Sequence, residues 1–454
     1  MSSLIGLLHL GGNAILAQNA GVAVTGNNIS NVNSEGYSRQ NINLESELAA
    51  PLVGGVRANG SSRAEDNLLA GRERQAEGAV GKSTSQAAAL GTLQDDLMQP
   101  SVISALGQLF SSLSRLSGAP SDPELRASIV ADADSVTKAF NSAGAAITRA
   151  RTDSDLRLSD NASAATQLAQ QIAAANKALA TSSDPTIADR RDLAAKKLSE
   201  LVGGAARVDP DGQMRFVASG GAVIVDGDRA ASIQTTPDST NDGHFKVQVV
   251  DGANVQDITA TLDGGKMGGE LAARDGTAKT AGTALDQLAY DFATQMNAVH
   301  RANAGVDGVS NRDFFTAPAA VKGAASAMSV SATLLANSDE LATASVGAGP
   351  GSSAGVLALS ALKDQPLASG GTRTFVNEGI HSVGAVGSDA KVATDTAALE
   401  TNRQQVLAAA RDSVSGVSTQ EEMTRLSAFQ HASEAATQFV ATVNNMLSDL
   451  IQRL

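Results

Sequence analysis

Two stretches at opposite ends of the chain share one hydrophobic rhythm. Leu4, Leu8, Gly11, Ile15, Gln18, Val22, Thr25, Ile29 and Val32 follow one another in alternating steps of four and three residues. So do Leu426, Phe429, Ser433, Ala436, Val440, Val443, Leu447, Leu450 and Leu454. This is a heptad seam, the pattern of a helix that buries one stripe against another helix. The second seam is entered through Ser418-Thr419-Gln420-Glu421, where a hydroxyl and a carboxylate three residues apart can cap each other's free N–H groups. The first carries Gly6, Gly11, Gly12, Gly21 and Gly26, and no Asp, Glu, Lys or Arg before Glu35. Each interior Gly costs about 1 kcal/mol relative to Ala, so this helix is unstable alone. We expect both ends to be ordered only in an assembly, with glycine allowing backbones to approach.

Between the seams the period changes several times. Residues 27–40 are dense in Asn and Ser, which favour turns, so the first helix ends among them. Residues 40–56 read as extended, with Ile42 and Leu44 alternating against polar neighbours, and Pro51 and Gly54-Gly55 close that segment. From about 65 to 202 the pattern is helical, broken at Gly118-Ala119-Pro120-Ser121-Asp122-Pro123 and at Ser183-Asp184-Pro185, with Leu158, Ala162, Ala165, Leu168, Ile172 and Leu179 on one side of a long helix. Past Gly203-Gly204 come short strands, Met214–Ala218, Ala222–Val225 and Phe245–Val250, bracketed by Asp-Gly and Pro-Asp-Gly turns. Helix returns at 280–304, with Leu285, Leu288, Phe292, Met296 and Val299 on one face. A helix over 389–411 with Val392, Leu399, Val406 and Leu407, and then the C-terminal seam, finish the chain.

The resulting fold class is mainly α with an inserted small β domain. Residues 1–45 with 412–454 form a coiled-coil-like terminal assembly domain. Residues 46–203 with 270–411 form a long-helix bundle in which 305–384 is irregular, and 204–269 form the antiparallel β domain.

Composition narrows the function. The net charge of −13 and the lack of any Lys/Arg cluster argue against nucleic acid as a partner. Cysteine is absent, which removes thiolate chemistry and Cys-based metal sites. No stretch of 18 apolar residues is present to cross a bilayer, and the first residues lack the basic start of a cleaved signal. Gly78-Ala79-Val80-Gly81-Lys82-Ser83-Thr84 ends like a phosphate-binding loop, but Ala76 stands where the first Gly belongs and a polar helix precedes it. His9, His244, His300, His381 and His431 are far apart and read as surface or interface residues. The pairs Asp95/Asp96, Asp132/Asp134 and Asp153/Asp155 read as solvated helix faces. No catalytic constellation, cofactor site or metal site emerges.

The stretch from Thr25 to Gln40, with Asn27, Asn28, Asn31, Asn33, Gly36, Tyr37 and Arg39, resembles the N-terminal signature of the bacterial flagellar axial proteins, the rod, hook and hook-associated family. Ser34 replaces the usual Thr. The block Arg411-Asp412-Ser413-Val414-Ser415-Gly416-Val417-Ser418, with Glu421-Glu422, is similar to the C-terminal signature of the hook-associated members. Asp189-Arg190-Arg191-Asp192-Leu193 and the stretch from Gly268 to Arg301 resemble family helices flanking the β domain. The resemblance implies a non-enzymatic structural protein of the hook-filament junction, located on the extracellular flagellum. It implies self-association in a ring or tube through the apolar seam residues Leu4, Leu8, Ile15, Val22, Ile29, Val32, Leu426, Phe429, Val440, Val443, Leu447, Leu450 and Leu454. It implies contacts with the hook protein and a second junction protein, type III export without a cleaved signal, and an export chaperone on the C-terminal helix. A hook or distal-rod protein is the alternative within the family. A secreted adhesin or an NTP-binding enzyme is the alternative outside it.

Overall fold

The computed structural model describes residues 2–49, 53–99 and 101–453; Pro51 and the last seam residue, Leu454, lie outside them. The fold is mainly α with a small antiparallel insertion, the class the hydrophobic pattern predicts. Helix α1 (Ser2–Ser30) leads to a hairpin of β1 (Gln40–Ala49) and β2 (Val53–Arg63). Then come α2 (Asn67–Met98), α3 (Val102–Ser117), α4 (Pro123–Leu179) and α5 (Pro185–Val202). Asp122 and Asp184 each cap a helix with Pro in its first turn, as the sequence suggests. The break between α2 and α3 was not among the expected ones; Ser101 caps α3 there.

The insertion consists of two sheets. Strands β3 (Ala205–Val208), β4 (Met214–Val217), β5 (Val223–Asp226) and β6 (Arg229–Ala230) form one meander, and β7 (Ser232–Pro237), β8 (Phe245–Asp251) and β9 (Asn254–Asp257) form the other. Strand β7 escaped the sequence reading because its Gln and Thr residues carry little apolar signal. It is pinned to α4 by Thr166, whose hydroxyl accepts from Ile233 N at 2.9 Å and lies 3.2 Å from Ile233 O. The chain leaves through α6 (Gly265–Leu271), a π-helical turn over Ala272–Ala278, and α7 (Lys279–Arg301).

Residues 302–374 hold short pieces, β10 (Asn303–Ala304), α8 (Ala324–Ala327), α9 (Ala332–Ala336), β11 (Ala344–Ser345) and α10 (Ala354–Ala361). Helix α11 then runs from Phe375 to Ser415, and α12 from Thr419 to Gln452. Helix α11 thus starts well before the expected residue 389, because Gly379, Gly384 and Gly387 interrupt its apolar period. The face carrying Val392, Leu399 and Val406 is a second correction. These residues are 62%, 65% and 70% exposed, and α11 buries Val386, Ala390 and Ala393 instead.

Helix α4 carries two cores. Its first half joins α3, α7 and the 302–374 segment through Ile129, Val136 and Phe140. Phe292 is the hub there, with ring centroids 6.1, 5.4 and 5.2 Å from Phe110, Phe315 and Phe375. Its second half joins α5 and both sheets through Leu158, Ala162, Ala165 and Ile172. At the insertion's base Asp155 is buried, correcting its reading as a solvated carboxylate. It accepts from Phe245 N at 3.1 Å, meets His244 Nδ1 at 2.6 Å and pairs with the fully buried Arg274, which also binds Asp275.

The loop-like glycines of α2 prove to be helix contacts. A Cβ at Gly81 would lie 2.2 Å from Glu200 O, and one at Gly269 would lie 2.2 Å from Lys82 O. Helices α2, α5 and α6 cross there at a distance only glycine permits. His300 is another correction, since it is 1% exposed. Its Nε2 accepts from Ala342 N at 3.0 Å, so Nδ1 carries the proton toward Arg312 O at 2.8 Å. Burial pushes its pKa below the ordinary value, against the pull of the Arg312 carbonyl. The unfolded chain therefore takes up the proton first as pH falls through about 6.5, so this part of stability is full above that pH and declines below it. In denaturant melts the advantage of wild type over His300→Gln should shrink below pH 6.5, by at most about 1.4 kcal/mol per pH unit. A gap constant from pH 8 to 5 would contradict this.

Candidate assembly interface

Helices α1 and α12 lie antiparallel. Ser433 Oγ donates to Asn19 Oδ1 at 3.1 Å, Gly11 faces Val440 and Phe439, and Gly21 faces Phe429. A Cβ at Gly11 would lie 2.3 Å from Val440 Cγ2, and one at Gly21 would lie 2.6 Å from Phe429 Cδ1. Close approach therefore accounts for Gly11 and Gly21, whereas a Cβ at Gly12 or Gly26 meets nothing within 4 Å. Hairpin β1–β2 flanks the pair, with Gly55 against Leu10.

The pair is only partly dry. Fully enclosed on α1 are Gly11, Ala17, Gly21, Thr25 and Asn28, and on α12 Glu422 and Val443. Among the seam residues, Leu4, Leu8, Ile15, Val22, Ile29, Leu426, Phe429, Val440 and Leu447 are half-buried, and Val32 and Leu450 are exposed. Ile5, Leu16, Phe439, Met446 and Ile451 add to the apolar surface on the same two helices.

Where α1 meets the hairpin, a polar knot joins the terminal pair to the body. Asn28 Nδ2 donates to Gln40 O and to Glu422 Oε2, both at 2.9 Å. Its Oδ1 accepts from Tyr37 Oη at 2.8 Å and from Gln40 N at 2.9 Å. One asparagine thus satisfies the chain's turn from helix to strand and one oxygen of a carboxylate from the far terminus, whose other oxygen, Glu422 Oε1, is buried without a hydrogen-bond partner. Burial, with Asp189 and Glu422 adding, pushes the Tyr37 phenol up to about 12, so it stays a donor. Gly36 sits at φ +79° with Leu193 Cβ 3.1 Å from where a Cβ would be, so only glycine fits.

Around the knot, Ser38 N donates to Asp189 Oδ2 at 3.3 Å, and Arg63 reaches Asp189 and Asp192 at 3.1 and 2.7 Å. Burial raises the Asp189 pKa in spite of those donors. Arg39 N donates to Ser415 O at 2.8 Å, and its guanidinium reaches Glu421 at 3.2 Å. The capping pair at the start of α12 is therefore only half made: Ser418 Oγ accepts from Glu421 N at 3.4 Å, but the Glu421 carboxylate turns to Arg39.

The remaining signature residues are more local. Asn31 donates to Asn27 Oδ1 at 2.8 Å, and Asn33 is exposed. Arg411 lies 3.6 Å from Glu73, Ser413 donates to Ala410 O at 2.6 Å, and Gly416 N donates to Asp412 O at 2.9 Å. Gln40, Asp189 and Glu422 stood within the family-like blocks without being singled out as site residues; the structure gathers them at the knot. Glu422 left a legible sign, since it stands four residues before Leu426 and so occupies the seam register.

Comparison with known proteins follows the same outline. Residues 90–315 match the family model described as the flagellar hook-associated protein FlgK helical domain. Flagellar hook-associated protein 1 of Salmonella typhimurium is 28% identical over 334 residues, covering 70% of this chain and 60% of the relative. The chain thus spans about 60% of that relative's length. The Bacillus subtilis protein of the same name is 24% identical over 491 residues, covering 96% of both chains. The solved structure of the flagellar hook junction protein FlgK from Burkholderia pseudomallei shares the fold, with a TM-score of 0.68 at 16% identity over 77% of this chain and all of that one.

Proposed function

Because this chain belongs to the flagellar hook-associated protein 1 family, we propose that it is a non-enzymatic structural protein joining hook to filament. Its terminal pair of helices is the polymerising element, residues 1–45 with 412–454, and the helical body and β insertion ride outside it. The single observation that carries this reading is the unfinished burial of α1 and α12. Across the 34 residues of α12, only Glu422 and Val443 are buried. The half-covered Leu and Val side chains of the seams retain apolar surface, which stabilises association at about 25 cal/mol for each Å² removed from water. Copies of this chain would complete that burial in a ring or tube, and hook protein and a second junction protein would cover its two faces.

Export by the type III route, with a chaperone holding the exposed apolar side of α12 beforehand, belongs to the same proposal. Such a chaperone would cover Met423, Phe439, Met446 and Ile451 until neighbours replace it. The test is removal of Glu421–Leu454. Motility and filament attachment should be lost while the body, whose two cores lie elsewhere, keeps its melting transition. Intact filaments on cells carrying the truncated chain would overturn the proposal.

A further inference from the structure

A cavity of about 160 Å³ lies where the loop after α1, the foot of β2, α2, α5 and the end of α11 converge. Arg74 forms part of its wall. The residue is only 8% exposed, its Nε is enclosed without a hydrogen-bond partner, and among the described residues no carboxylate comes within ion-pair distance of it. Arg191, also lining the cavity and 5% exposed, has its Nε likewise without a hydrogen bond, while its Nη1 is held by Asn176 and Gly212 O at 3.2 and 2.7 Å.

The nearby anions are already engaged. Glu73 pairs with Lys196 at 2.9 Å and with Arg411 at 3.6 Å, and Glu35 pairs with Lys197 at 3.1 Å. Glu65 and Asp192 both bind Arg63, and Asp66 caps α2 through Leu68 N and Leu69 N. Among the described residues, Arg74 is the lining cation with no carboxylate within 4 Å, whereas Arg191 Nε lies 3.9 Å from Asp192 Oδ1. Burial lowers the Arg74 pKa even though Asp192, Glu73 and Glu65 pull the other way. An enclosed guanidinium without an acceptor is costly, and a forked donor of this kind suits a carboxylate or a tetrahedral oxyanion.

We propose that this cavity is a binding site for a single oxyanion, held by Arg74 with Arg191 beside it. Its volume admits a carboxylate or a sulfate-sized ion with a water or two and excludes a nucleotide. Gly36, Ser38 and Ser415 also line it, so the bound ion sits against the joint between the terminal helices and the body and braces that joint. The inference rests on the single folded chain and is independent of the assembly proposal.

The experiment is a titration of the full chain with sodium sulfate against sodium chloride at equal ionic strength. It follows the arginine Nε–H resonances by NMR and the melting temperature. Arg74→Met assigns the Arg74 signal and serves as control for the general salting effect of sulfate. Wild type should show a saturable shift of the Arg74 resonance and a rise in melting temperature over the variant of roughly 2 °C. Should Arg74→Met fail to fold, Arg74→Lys replaces it, and its response should be weaker than wild type. A linear, unsaturated Arg74 response, or equal rises in wild type and variant, overturns the proposal. Sulfate that weakens self-association of wild type but not of the variant identifies the natural oxyanion as an acidic side chain of a second copy. Association unchanged by sulfate identifies it as a free ion.

Discussion

Replacing Asn28 with Leu should destabilise the junction between the terminal helices and the body by about 3–5 kcal/mol, the largest effect expected of any single change in this region. The variant removes four hydrogen bonds at once and leaves Gln40 N–H, Gln40 C=O, the Tyr37 hydroxyl and the Glu422 carboxylate enclosed without their partner. Amide exchange at residues 37–40 and in the first turn of α12 should accelerate, and polymerisation should fail although the two body cores stay folded. Asn28→Asp is a sharper probe of the cause. It keeps the acceptor for Tyr37 and Gln40 N but sets a second carboxylate against Glu422. Two like charges at that range resist ionising together, so the loss should be greatest at neutral pH and recover as acid supplies a shared proton. A stability within 1 kcal/mol of wild type for Asn28→Leu, with unchanged exchange at Tyr37, would sink the idea.

The second large effect belongs to the base of the β insertion. Asp155→Ala should cost about 3 kcal/mol, because it unpairs the buried Arg274 on one side and leaves Phe245 N without an acceptor. Asp155→Asn, which can still accept from Phe245 N, should lose about half as much. The damage should show as faster amide exchange in β7 and β8. Filament growth should survive at temperatures where the insertion is loosened, in contrast to the Asn28 variants. Filament loss from Asp155→Ala at a temperature where α1 and α12 remain protected would mean that the insertion is part of the assembly surface.

These two sites differ in how far the sequence foretold them. Asn28 stood inside a signature and beside a seam, so its importance was legible; its far partner Glu422 stood beside the other signature as a polar residue in an apolar register, but nothing local paired the two. Asp155 looked like one of many carboxylates on a polar helix, because periodicity cannot say that α4 runs under a β sheet. The seams, the turn-initiating prolines and the alternation in β8 are local patterns and were readable. The start of α11 was hidden by its glycines, and β7 by its polar residues. The oxyanion cavity left no trace at all, because Arg63, Arg74 and Arg191 come together only through the crossing of α2, α5 and the hairpin.

The length of α4 has a mechanical consequence. Its 57 residues form one rod of about 85 Å that passes through both cores. A twisting load between the two cores is therefore carried along a single hydrogen-bonded shaft, with no non-covalent boundary to slip between them. The terminal helices and their hairpin are joined covalently to that body through two short connections, residues 64–66 and 416–418.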